Sequence, residues 1–440
     1  MRLVLALLSA CALGVCTLGA RAQNATALAG FVRVEAGRFV LDGRPYHFSG
    51  ANLWYGMHLG ADAVGGDRAR LARELDSLAA RGLTNLRVMG AAEGPDTEPL
   101  RVHPTTQPSP GVYDERVLRG LDVLLAGMGA RGMKAVVTLN NFFMWSGGMA
   151  QYVSWAEGTP IPYPSAEPGG ATWDDFQNYA ARFYANPEAN RLFDAYLTAV
   201  VNRTNTVTGV RYRDDPAIMA WQLANEPRGF AETEAYLAWI DHAAGLIHRL
   251  DPNHLVSLGG EGKLQPGVGT AFERAARSPH LDYLTAHVWI ENWGWYRPAK
   301  PDSSFAPAVG RALGYVADHA AIARAIGKPL VLEEFGVGRD GGALTPGAPA
   351  LYRDVYYTLL LEALLKLAQE GPGVGGANVW GWAGEGVPPR PGGIWAVGDP
   401  LGGDPPHEQQ GWYAFFFHDR ATLDVLRRYA AAFSAIGQTP

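Results

Sequence analysis

Cysteine is nearly absent from this chain: two among 440 residues, Cys11 and Cys16. A disulfide-stapled fold and a cysteine-rich metal site are thereby excluded. A basic excess is missing too, with 37 Lys and Arg against 43 Asp and Glu and a net charge of −6. A nucleic-acid binder that tracks phosphates needs the opposite balance, so no nucleic-acid partner is expected. Beyond the N-terminus no stretch approaches the roughly 18 apolar residues of a membrane span. Repeats, low-complexity blocks and Ser/Gly linkers are also lacking, which leaves one domain. What is present, 48% hydrophobic and 18% charged residues, is a globular composition rather than a disordered one.

Met1-Arg2 precedes the apolar run Leu3-Val4-Leu5-Ala6-Leu7-Leu8, and Ala20-Arg21-Ala22 supplies a small-x-small cleavage pattern. Residues 1–22 read as a signal peptide. Residues 23–440 would then be a secreted catalytic domain, extracellular or periplasmic, without cysteine. Leu8-Ser9-Ala10-Cys11 resembles a lipoprotein box after an unusually short apolar region, so lipid anchoring at Cys11 or Cys16 is the lesser alternative.

Downstream, short apolar runs alternate with longer helical patterns, as parallel βαβ units do. The pattern predicts strands at His47–Leu53, Asn85–Val88, Lys134–Leu139, Ala217–Ala224, Leu255–Leu258, Tyr283–His287, Leu330–Glu334 and Ala377–Trp382. Helical stretches fall at Asp67–Arg81, Tyr113–Gly132, Pro187–Thr206, Glu232–Leu250, Val309–Ile326 and Leu351–Glu370. Eight such strands make an α/β fold, a (β/α)8 TIM barrel, whose extra length goes into long βα loops over the catalytic face. The loop from Asn141 to Pro187 is crowded with aromatics. Phe176, Phe183 and Tyr184 read as packing, whereas Trp145, Tyr152 and Trp155 suit a platform for the apolar faces of sugar rings. The loop from Gly384 to Tyr413 carries Asp404-Pro405-Pro406-His407-Glu408, whose spacing fits no ligand motif and whose prolines suggest a rigid rim.

Two predicted strands end in acid. Ala217–Ala224 runs into Asn225-Glu226-Pro227, and Leu330-Val331-Leu332 into Glu333-Glu334-Phe335-Gly336. Acid at the end of an apolar strand is costly to bury without partners. Two such ends over a barrel mouth supply the acid and the carboxylate that glycoside hydrolysis requires. Strand alternation sends Glu333 and Glu334 to opposite faces, so one of them is expected to join Glu226.

These motifs resemble glycoside hydrolase family 5, and the likeness runs through nearly the whole chain after residue 22. Further stretches are similar to bacterial endo-β-1,4-mannanases: Gly50-Ala51-Asn52-Leu53-Trp54-Tyr55-Gly56, Leu139-Asn140-Asn141-Phe142, Trp145 to Tyr152, and His287-Val288-Trp289 with Asn292-Trp293-Gly294-Trp295. The resemblance implies Glu226 as general acid/base and Glu334, directly before Phe-Gly, as nucleophile. It implies Arg87 as the arginine that orients the nucleophile, Asn225 as a ligand of the sugar 2-hydroxyl, and His287 as the histidine beside the acid/base. Trp380 is preferred to Trp382 as the floor of the cleavage subsite, and Trp54, Asn140, Trp145 and Trp289 are further candidate substrate contacts. Two positions depart from the pattern. Trp289 stands where many members have a tyrosine bonded to the nucleophile, and Phe143-Met144 where similar mannanases have Trp-Glu.

The activity implied is retaining endo-hydrolysis of β-1,4-mannosidic bonds in mannan, glucomannan or galactomannan by a monomer, with no metal and no organic cofactor. The alternatives are a family 5 β-1,4-endoglucanase, an exo-acting mannobiose-releasing enzyme, and a catalytically silent glycan-binding protein.

Overall fold

The structure, a computed structural model, describes residues 30–437 except Pro266. Residues 1–22, expected to be a signal peptide, and both cysteines lie outside the described residues. Three short antiparallel strands come first: β1 (Val32–Glu35), β2 (Arg38–Leu41) and β3 (Arg44–Pro45). Eight parallel strands follow: β4 (Phe48–Asn52), β5 (Asn85–Met89), β6 (Lys134–Thr138), β7 (Ile218–Gln222), β8 (Leu255–Ser257), β9 (Leu284–Val288), β10 (Leu330–Phe335) and β11 (Val374–Val379). They pair in the order β8-β7-β6-β5-β4-β11-β10-β9. A parallel bridge between Ser257 and Tyr283 joins the two ends. The ring is closed, and the expected (β/α)8 barrel is the observed architecture.

Helices form where capping and termination signals coincide. Asp67 accepts the Arg70 N–H at the start of Arg68–Ala80, Asp114 caps Glu115–Gly129, and Asn186 caps Pro187–Val201 with proline in its first turn; each cap satisfies N–H groups that the helix itself cannot. Gly82 and Gly132 take φ of +75° and +67° just beyond two helix ends, where the sequence placed the stops. Among the described residues no helix is long and apolar enough to cross a membrane.

Several elements differ from expectation, among them the C-terminal helix Arg420–Ser434, which has no predicted counterpart. The meander β1–β3 has no counterpart in the sequence reading. The aromatic excursion after β6 contains helices Gly148–Glu157 and Trp173–Ala181 rather than loop alone. The helix predicted from Val309 begins at Pro301, with Pro307 inside its second turn. The last barrel strand ends at Val379, and Trp382 opens a separate strand, β12 (Trp382–Gly384), paired with β13 (Phe415–Phe416).

The meander plugs the end of the barrel away from the catalytic loops. Phe39 is fully buried there, with its ring 6.3 Å from Phe48 and 5.3 Å from Tyr283. Gly375 makes room for it, since a Cβ at that position would lie 2.4 Å from the Phe39 ring. Overpacking of this kind costs about 1–3 kcal/mol. Gly375→Ala should therefore lower the thermal midpoint while leaving the specific activity of the folded fraction unchanged, read by a melt alongside an assay. An unaltered midpoint would contradict this packing account.

Candidate active site

The catalytic-face ends of β5, β7, β9 and β10 bring four charged side chains together. Beyond β7, Asn225 donates its N–H to Asn140 O at 2.9 Å and Glu226 donates to Gly259 O at 2.9 Å. Glu226 has φ of +49°, a left-handed conformation that costs a non-glycine residue about 1–2 kcal/mol. Gly259 permits the close approach: a Cβ on it would sit 1.9 Å from Ala224 O.

Arg87 on β5 is the hub. Its Nε donates to Gln222 Oε1 at 2.7 Å, Nη2 to Asn225 Oδ1 at 2.8 Å, and Nη1 to Asn52 Oδ1 at 3.2 Å and to Glu334 Oε1. Across the mouth His287 Nδ1 lies 2.7 Å from Glu226 Oε1 and 3.4 Å from Glu334 Oε2. A ligand oxygen of Glu226, one of Glu334 and a His287 nitrogen lie within 4.8 Å of one another.

Alternation does not separate Glu333 from Glu334. The register of β10 against β9 shifts after Leu332, which pairs Ala286, so that Glu334 pairs the next residue, His287. This β-bulge leaves Glu333 without a partner position and turns both acids inward. Both Glu333 oxygens accept from Gln222 Nε2, at 2.7 and 2.8 Å.

Charge is divided unevenly among these groups. Burial disfavours the charged His287 ring, but Glu334, Glu226 and Glu333 around it prevail and push it up to about 10. Burial also raises Glu226, yet the hydrogen bond and charge of His287, with Arg228 and Lys263 behind it, bring it down to about 2. Glu334 is raised to about 7, chiefly by burial and by the neighbouring carboxylates, against the pull of His287 and Arg87. Groups this close titrate as one system. Near neutrality the pair shares a single proton.

A description of family 5 β-mannosidase-like glycoside hydrolases matches residues 29–438. The chain belongs to glycoside hydrolase family 5. Mannan endo-1,4-beta-mannosidase 1 of Oryza sativa subsp. japonica is 31% identical over 368 residues, covering 80% of this chain and 78% of that one. Mannan endo-1,4-beta-mannosidase 5 of Solanum lycopersicum is 31% identical over 373 residues, covering 81% and 82%. The crystal structure of a family 5 mannosidase from Rhizomucor miehei superposes with a TM-score of 0.87 at 39% identity, over 94% of this chain and 99% of that one. This family 5 chain is accordingly a glycoside hydrolase.

A cavity of about 540 Å³ opens over the two glutamates of the hydrolase. Of the residues singled out from sequence, Asn225, Glu226, Glu334, Trp145, Trp289 and Trp380 line it. Arg87 and His287 lie buried directly beneath. Trp54 is packed behind the wall, edge-on to Trp145 at 5.2 Å, with its Nε1 donating to Gly403 O at 2.9 Å. Asn140 is also behind the wall, wholly buried, its Oδ1 accepting the Asn141 N–H. The aromatic platform survives only in Trp145: Tyr152 is buried with its hydroxyl on Gln107, and Trp155 packs edge-on against Tyr152 at 5.5 Å. Trp380 meets the cavity, whereas Trp382 is a core residue whose Nε1 bonds Glu74 Oε2 at 2.7 Å. Trp289 packs on Trp380 and Tyr413 at 5.9 and 4.9 Å and, among the described residues, gives Glu334 no hydrogen bond.

Several wall residues were not singled out. Arg228 follows Asn-Glu-Pro directly, a position that adjacency could have flagged. Its Nη2 bonds Glu261 Oε2 at 2.7 Å and lies 3.8 Å from Glu226 Oε2. Lys263 sits 4.8 Å over the Trp293 ring and 3.2 Å from Glu261. Asp404 ties the last long loop by accepting the N–H groups of Gly411, Tyr413 and Ala414, while His407 and Glu408 from the same motif reach the cavity. Among the described residues only Glu226, His287 and Glu334 have the spacing of a metal site. Arg87 already engages Glu334, and both His287 nitrogens face carboxylates, so that cluster carries its own cations.

Proposed function

We propose that this family 5 hydrolase cleaves β-1,4-mannosidic bonds of mannan, glucomannan or galactomannan with retention of anomeric configuration, as an endo-acting enzyme. The observation that carries the mechanism is the short span between Glu226 and Glu334, whose oxygens approach within 4.8 Å. Retaining enzymes hold their carboxyl groups about 5–5.5 Å apart, inverting ones about 6.5–9.5 Å to admit a water. The mannan assignment draws on the two plant relatives, both named for that bond. Residues 1–22 would direct export, and residues 23–440 would act as the working barrel, a monomer.

Glu334, its charge supported by Arg87, attacks the anomeric carbon. Glu226, which holds the proton of the pair once substrate is bound, gives it to the departing oxygen, which breaks the glycosidic bond and leaves a glycosyl ester on Glu334. Glu226 then takes a proton from water, and the hydroxide formed releases the manno-oligosaccharide from the ester. The productive free enzyme holds one proton on the pair. Because the upper step of that pair is raised to about 7, kcat/KM should fall as pH rises through about 7, tenfold per unit beyond it. A profile flat to pH 9 would contradict this charge assignment. Reducing-sugar release should favour mannan over carboxymethylcellulose; the reverse preference would overturn the substrate assignment.

A second reading, exo action, has a specific observation behind it. Trp173 from the excursion after β6 meets His407 from the loop after β11, ring to ring at 6.0 Å, at the cavity wall. Glu408 beside them is raised well above the usual carboxylate range, first by burial and then by Asp404, Glu334 and Glu226. A neutral carboxyl at this wall would suit the hydroxyls of a terminal sugar. The Rhizomucor miehei neighbour is likewise described as a mannosidase. Products from mannohexaose separate the readings: a ladder of short oligosaccharides for endo action, mannose or mannobiose alone from the first minutes for exo action.

A further inference from the structure

Glu333 has no part in the double displacement, yet it is wholly buried and its neighbours all serve the site. Gln222, which clamps it through both oxygens, also accepts from Arg87. Arg87 Nε is 3.5 Å from Glu333 Oε2, and His287 Nε2 is 3.6 Å from the same oxygen. Asn52 donates to the bulged Glu333 carbonyl at 2.8 Å and accepts from Arg87, so the backbone that aims Glu333 is tied to the same hub.

The two nitrogens of His287 decide what this arrangement does. Nδ1 faces Glu226 and Glu334; Nε2 is buried, makes no hydrogen bond and has Glu333 as its nearest anion. A neutral imidazole keeps one nitrogen as an acceptor and needs a donor opposite it. Among the described residues no N–H group lies opposite either nitrogen of His287, and both face carboxylate oxygens. Both nitrogens are thus placed to donate, and the second points at Glu333. Glu226, Glu333 and Glu334 share His287 and Arg87 as their near cations, while Arg228, bonded to Glu261, stands 3.8 Å from the outer oxygen of Glu226.

We propose that Glu333 is a positioning residue that holds His287 doubly protonated from the side opposite Glu226, and so fixes where the single proton of the catalytic pair resides. The role rests on the double-displacement reading, and it explains why the bulge is useful: strict alternation would turn one of the two acids out of the barrel. The rise of His287 to about 10, to which Glu333 contributes, agrees with it.

The test pairs Glu333→Gln, which keeps the shape and removes the charge, with Glu333→Asp, which keeps the charge and shortens the arm. Histidine side-chain NMR on the whole protein should show His287 charged at pH 8 in the wild type and in Glu333→Asp. In Glu333→Gln its titration should move down by at least about one pH unit. Glu333→Gln should lose about tenfold or more in kcat with KM within about threefold, and Glu333→Asp should recover part of it. In a double-mutant cycle, adding Glu333→Gln to His287→Asn should cost little more than His287→Asn alone, because the two act as one unit. An unmoved His287 titration in folded Glu333→Gln overturns the proposal, as does a larger loss in Glu333→Asp than in Glu333→Gln. Should Glu333→Gln fail to fold, the titration in Glu333→Asp decides: a fall of a unit there, with the charge kept, overturns it as well. The NMR readout needs no substrate, so a wild type inactive on mannan would defeat the functional reading without touching this one.

Discussion

Glu334→Ala is expected to lower kcat on manno-oligosaccharides by at least about 10⁴-fold while leaving glycan binding measurable by calorimetry. The reasoning starts from geometry. Glu334 is the acid that Arg87 Nη1 engages, and its second oxygen lies 3.4 Å from His287. It also lines the cavity, whereas the neighbouring Glu333 does not. Removing it leaves Arg87 bonded to Gln222, Asn52 and Asn225, so the hub should keep its place and the fold should persist. What disappears is the atom that forms the covalent bond, and no nearby group replaces it. Activity within tenfold of wild type would move the nucleophile elsewhere, with Glu333 the first candidate.

Glu226→Ala should produce a different signature. The natural bond needs a proton on its leaving oxygen, and losing a positioned general acid costs about 10²–10⁴-fold. An aryl mannoside with a good leaving group needs no such help in its first step. On that substrate the variant should release one equivalent of phenol quickly and then stall, because the step that needs the base has become limiting. Added azide, which needs no base, should restore turnover and give a β-mannosyl azide. An equal loss on every substrate, without a burst and without azide rescue, would remove Glu226 from the acid/base role. His287, bonded to Glu226 at 2.7 Å, should then be examined as the donor.

The parts of this enzyme that sequence made legible are those set by local pattern. The apolar runs of β7 and β10 and the acids that end them are readable because a buried parallel strand has few polar residues to confuse the signal. Arg87 is legible through the resemblance to family 5, which implies an arginine at this strand. Register is another matter. Whether Glu333 points with Glu334 or against it depends on one slipped pairing with β9, and nothing within Leu330–Gly336 encodes its neighbour's alignment. The aromatic excursion after β6 shows a similar limit. Composition marks it as special, but Trp145 and Trp173 reach the cavity while Tyr152 and Trp155 pack behind it, a choice made by the helices Gly148–Glu157 and Trp173–Ala181. The meander β1–β3 is too short to show a period, and its reason for existing, Phe39 over Gly375, spans most of the chain.

The account stands on two carboxylates close enough for a covalent intermediate. The most direct measurement is proton NMR of the anomeric signals during the first minutes of mannohexaose hydrolysis, before mutarotation mixes the products. Retention predicts that the β-anomer of the new reducing end appears first and the α-anomer follows at the spontaneous rate. An initial α-anomer would mean inversion, and would contradict the assignment of Glu334 as nucleophile.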